Sequence, residues 1–120
     1  MNDTPQHPQL RGEFLLLDYR LTAESPKTII VAPTAVDDWL EFRSCYVDQR
    51  LDKPAYESFV LTDTPDEDVP PLISCGARLA SVNKKFPSIS ISLRSDDMFD
   101  MERLAGLIRR PVYISATVME

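Results

Sequence analysis

The sequence predicts an α+β, mainly β domain: a strongly bent antiparallel sheet or small barrel of about seven short strands, with one C-terminal amphipathic helix near residues 96–110. Three observations predict it. Apolar and polar residues alternate over several strand-length stretches, most strictly in "SISISLR". The connections between these stretches are mostly too short for parallel crossovers, which favours antiparallel pairing. One segment, "SDDMFDMERLAGLIRR", instead repeats its apolar residues at helical spacing.

Taken in order, residues 1–11 read as an extended arm, with Pro5, Pro8 and three amide side chains. The globular domain is expected over 12–120. In "EFLLLDYRLTA" the alternation places Leu15, Leu17, Tyr19 and Leu21 on one face, with Asp18 and Arg20 on the other. "AESP" is a turn, and "KTIIVAP" is a β-branched strand stopped by Pro33. The next stretch reads two ways. Thr34 and Asp37 have the spacing of a helix start, whereas Leu40, Phe42, Ser44 and Tyr46 alternate as in a strand. One helical turn followed by a strand is the expectation.

"AYESFVLTDT" is a further strand, and "PPLISCGARLASV" another, in which Gly76 marks a bulge or a close backbone approach. "NKKFPS" is turn-like, and Ile89, Ile91 and Leu93 then share one buried face. In the helix, Met98, Met101, Leu104, Ala105 and Ile108 form the apolar stripe. Asp96 or Asp97 caps its start, Arg109 and Arg110 suit its end, and Pro111 stops it. Val112, Ile114, Ala116 and Val118 alternate in the last strand.

The 120 residues suffice for one core, and 43% hydrophobic with 27% charged residues is a globular composition. The longest apolar runs are of strand length, and the first residues lack a basic start followed by an apolar stretch. A cytoplasmic location is therefore expected. Cys45 and Cys75 lack the close spacing of a metal or redox pair, so free thiols are expected. The net charge of −6 is uneven: residues 1–75 carry 6 bases against 14 acids, and residues 76–120 carry 7 against 5. Such a chain is repelled by phosphate backbones at long range, although a local basic face is compatible with it.

The densest acidic stretch is "DTPDEDVPP", with Asp63, Asp66, Glu67 and Asp68 among three prolines. It lacks the glycine and late glutamate of a high-affinity calcium loop. Its first role is a stiff strand connection, its second the rim of a surface for a basic partner. "DDWLEF" adds Asp37, Asp38 and Trp39 as a second candidate contact, since tryptophan anchors interfaces well. Catalytic parts are missing: His7, the single histidine, lies in the arm, and Gly12, Gly76 and Gly106 are too scattered for a phosphate loop. Neither an enzyme nor a cofactor or metal is expected. The leading expectation is a protein-binding module, such as an inhibitor, immunity-type protein or adaptor, that occupies a partner's surface. The alternatives are a single-stranded nucleic-acid binder using Lys84, Lys85, Phe86 and Arg94, and a subunit that self-associates through an open sheet edge.

Overall fold

A computed structural model describes residues 8–21, 27–66, 68–94 and 99–119. Within them the chain runs β1 (Arg11–Arg20), β2 (Lys27–Pro33), α1 (Val36–Arg43), a π-helical turn (Ser44–Asp48), β3 (Ala55–Thr62), β4 (Ile73–Val82), β5 (Ile89–Arg94), α2 (Met101–Ala105) and β6 (Pro111–Val118). The six strands close into a barrel in the order β1-β2-β5-β4-β3-β6, and every neighbouring pair is antiparallel. The mainly β, small-barrel class is thus correct, with six strands in place of about seven. Closure also leaves no open sheet edge among the described strands, so edge-to-edge self-association has no template here.

The strand order dictates the rest of the architecture. β2 and β3 lie on opposite sides of the barrel, as do β5 and β6, so each of these two connections must cross a mouth. Register shows which mouth. Val31 pairs with Ile89 and Val82 pairs with Ile89, which puts the end of β2, the β4–β5 turn and the start of β3 at one mouth. The segment 34–54 crosses there. Lys27, Arg94 and Thr62 mark the other mouth, which residues 99–110 cross. Each crossing inserts apolar side chains into the same core: Trp39, Phe42 and Tyr46 at the first mouth, Leu104 at the second.

This explains why the expected strand after Leu40 is helix instead. Trp39, Phe42 and Tyr46 are spaced by three and four residues, and all three are buried, whereas Leu40 is exposed. Helical spacing satisfies the mouth; the alternation Leu40, Phe42, Ser44, Tyr46 was incidental. The C-terminal helix is shorter than expected, only Met101–Ala105, and its cap is Asp100, whose carboxylate accepts from the Arg103 N–H at 3.1 Å. Beyond Gly106 the chain leaves the helix to bond β1: Leu16 N–H donates to the Arg110 carbonyl at 3.2 Å, and Arg109 N–H donates to the Leu16 carbonyl at 2.6 Å. Asp96, Asp97 and Met98 lie outside the described residues.

The same docking point corrects the phase of β1. A bulge lies between Leu16 and Asp18, and the buried residues before it are Phe14 and Leu16, not Leu15 and Leu17. After the bulge the expected set returns, with Tyr19 half-buried and Leu21 buried. One extra residue exchanges the two faces of a strand. β5 is as expected: Ile89 and Ile91 are fully buried and Leu93 nearly so. Leu10, expected in the arm, is also buried, and its carbonyl accepts from the Ala116 N–H at 3.1 Å. The domain's contacts therefore begin before Gly12.

Candidate functional surface

The two acidic candidates lie at opposite mouths. Asp37, Asp38 and Trp39 sit on α1, at the mouth crossed by 34–54; Asp63, Asp66 and Asp68 sit on the β3–β4 connection at the other. A single partner surface built from both sets is not assembled. Glu67 lies outside the described residues.

At the elbow, two of the carboxylates are already used. Asp63 Oδ2 accepts from Arg103 Nη2 at 3.0 Å, an ion pair that ties the connection to α2. Asp66 Oδ1 accepts from the Asp68 N–H at 2.9 Å, and the Asp66 N–H donates to Thr64 Oγ1 at 3.3 Å. Thr62 Oγ1 donates to the Thr64 carbonyl at 2.6 Å, and Leu72 N–H returns to the Leu61 carbonyl at 2.9 Å. These are the local side-chain bonds by which Asp and Thr hold a tight turn. The elbow is a strand connection.

At the other mouth, Trp39 is not an exposed anchor. It is buried, its Nε1–H donates to the Asn83 carbonyl at 3.3 Å, and the Arg43 guanidinium lies 5.7 Å over its ring. The bond to Asn83 joins α1 to the β4–β5 turn. That turn is itself rigid, because Asn83 Oδ1 accepts from the Lys85 and Phe86 N–H groups at 2.8 and 3.0 Å. Phe86 stands out from it, 65% exposed. On α1, Val36 and Leu40 are exposed at 59% and 43%, one helical turn apart, beside exposed Asp37 and Glu41. Met119, whose N–H donates to the Ala55 carbonyl at 2.9 Å, is exposed at the same mouth. Among the described residues, Met101 is the one large exposed apolar side chain at the elbow mouth.

The alternative nucleic-acid set is also divided. Lys84, Lys85 and Phe86 belong to the α1 mouth, but Arg94 ends β5 at the far one. Lys84 instead joins bases that sequence reasoning did not group. The stretch 49–54 folds over β4, with Leu79 N–H donating to the Pro54 carbonyl at 3.1 Å. Two adjoining concavities there share Tyr46, Arg50 and Lys53; one of about 720 Å³ adds Arg78, and one of about 520 Å³ adds Lys84. No spacing rule reveals this set, because it is assembled by the return of β4 past the 49–54 stretch.

Burial raises the titration of three groups near this mouth. The Tyr46 and Tyr56 hydroxyls are pushed up chiefly by loss of hydration, Tyr46 also by the neighbouring Tyr56. The Cys45 thiol is raised by burial and then by the Glu41 carboxylate, which leaves it a poor nucleophile at neutral pH. Both Cys45 and Cys75 are free and half-buried. Among the described residues, no group of three acidic, histidine or cysteine side chains is placed to hold a metal, and no helix is long and apolar enough to cross a membrane. Comparison with family models, with curated proteins and with solved structures returned no match.

Proposed function

We propose that this protein is a non-catalytic protein-binding module that occupies a partner's surface with the α1 mouth of its barrel. One observation carries the reading: Val36, Leu40, Phe86 and Met119, four of the five large apolar side chains exposed among the described residues, stand at that mouth. Exposed apolar side chains gathered in one region, with polar groups around them, are the usual composition of a contact surface. Asp37, Asp38 and Glu41 on the same helix suit a partner whose own apolar spot is bordered by bases, and they steer its approach. The acidic elbow has no part in this contact.

The α1 face also suits a binding role in its rigidity. Its helix is held from beneath by two buried aromatics, with Tyr46 of the following turn beside them, and by the Trp39–Asn83 bond, so little order must be gained on docking. The test is to immobilise the protein and compare what a Val36→Ser, Leu40→Ser variant and an Asp66→Asn, Asp68→Asn variant retain from the cell of origin. The reading expects a saturable partner that the first variant loses and the second keeps. A partner held equally by the α1 variant, or lost only by the elbow variant, would sink it.

A further inference from the structure

We infer that the groove between the 49–54 stretch and β4 is an anion site that takes a ligand with two or more linked phosphates. Its lining combines Arg50, Lys53, Arg78 and Lys84 with a single carboxylate, Asp52. None of the four cations has an ion-pair or hydrogen-bond partner among the described residues, in contrast to Arg103 at the other mouth. Each of the two adjoining parts holds three of these cations, which repel each other, and an anion seated among them relieves that repulsion. Two of them are guanidiniums, whose planar fork matches phosphate oxygens in pairs. The cations are spread across both parts of the groove, so a ligand with more than one anionic group meets more of them than a single ion does.

The backbone at Arg50 is an independent pointer. Arg50 has a φ of 55°, in the left-handed region where a helix end ordinarily places glycine. It lies one residue past the Gln49 cap of the π-helical turn, where Gln49 N–H bonds the Ser44 carbonyl and Leu51 N–H bonds the Cys45 carbonyl, both at 2.9 Å. Glycine would close this turn without strain. An arginine there, lining both halves of the groove, carries a conformational cost that glycine would not. The overall negative charge does not oppose such a site at physiological salt, since charges beyond roughly 8–10 Å are screened.

The measurement is calorimetric titration of the full chain at physiological salt with two probes, inorganic tripolyphosphate and a short oligothymidylate. Saturable tripolyphosphate binding is expected, weakened about tenfold by Arg50→Gly and again by Arg78→Ala, since each removes a charge-assisted bond. Asp52→Asn is expected to tighten it. Binding of the oligonucleotide alone, with the same losses, supports the site and assigns it to phosphodiesters. Thermal melting of each variant separates lost binding from lost fold, and Arg50→Gly is expected to melt no lower than the parent. Failure of both probes to bind overturns the site, as does binding that Arg50→Gly and Arg78→Ala leave unchanged.

Discussion

At the elbow mouth, Asp63 is paired with Arg103, Asp100 caps α2 and Asp66 closes its own turn. At the α1 mouth, Arg50, Lys53, Arg78 and Lys84 line one groove with no partner among the described residues, and the large apolar side chains stand in solvent. Both mouths are sealed alike, by a crossing segment that drops apolar side chains into the core. Their outer surfaces differ because one spends its polar groups on holding a loop and the other holds its backbone with aromatics. What teaches most is that charge density in the sequence does not tell which carboxylates are committed: Asp63 is paired across the mouth, whereas Asp66 and Asp68 stay exposed.

The sharpest way to break this contrast is to remove a seal. Phe42 is 1% exposed, and Phe42→Ala should cost about 3–5 kcal/mol; Leu104, fully buried at the other mouth, should cost about 2–5 kcal/mol as Leu104→Ala. Urea denaturation measures both. A cost under about 1 kcal/mol at either position would mean that its segment lies on the mouth rather than in it.

The α1 mouth should also respond to alkali. Tyr46 and Tyr56 have folded-state values raised above the ordinary 10.0, so unfolding releases groups that ionise more readily. Their contribution is fully present below pH 10 and is lost as pH rises beyond it. Denaturation midpoints recorded from pH 8 upward should fall above the tyrosine value, and less steeply in Tyr56→Phe. If Tyr56→Phe falls just as steeply, burial of that hydroxyl is not what matters. The same variant should be neutral or slightly stabilising at pH 7, because the buried Tyr56 hydroxyl has no hydrogen-bond partner among the described residues.

Smaller effects sharpen the picture further. Arg50→Gly should raise stability by up to about 1 kcal/mol, the relief of a left-handed residue, while emptying the groove of its shared guanidinium. Loss of stability in that variant would show that the arginine side chain supports the turn. Asp63→Asn should cost at most about 0.5 kcal/mol, since the side chains of Arg103 and Asp63 are 49% and 30% exposed and water screens their pair. A larger loss by thermal melting would promote the elbow from connection to structural clamp.

How much of this could be read from the residues varies with the kind of signal. The β-rich class and β5 were legible because Ile89, Ile91 and Leu93 alternate strictly and their faces admit one register. In "FLLLDY" four consecutive apolar residues satisfy either face, and only the docking of Arg109 and Arg110 on Leu16 sets the bulge. The helical spacing of Trp39, Phe42 and Tyr46 was present, but it competed with an equally good alternation until the strand order required a crossing at that point. The functional surface was least legible. Asp37 and Asp38 are exposed on α1, and whether Asp63 is paired depends on a partner as remote as Arg103. The basic groove draws on positions from 50 to 84, and no local pattern joins them.

The placement of β6 between β1 and β3 bears on how the chain must be made. A ribosome delivers β6 last, and until it arrives β1 and β3 are both unpaired edges, each with a backbone ready to accept a foreign strand. The hairpins β1–β2, β3–β4 and β4–β5 can form early, but the ring closes only by joining residues about one hundred positions apart, a slow kind of contact. Synthesis therefore passes through an open, aggregation-prone sheet. A nascent chain stalled before Pro111 should be the form that chaperones hold.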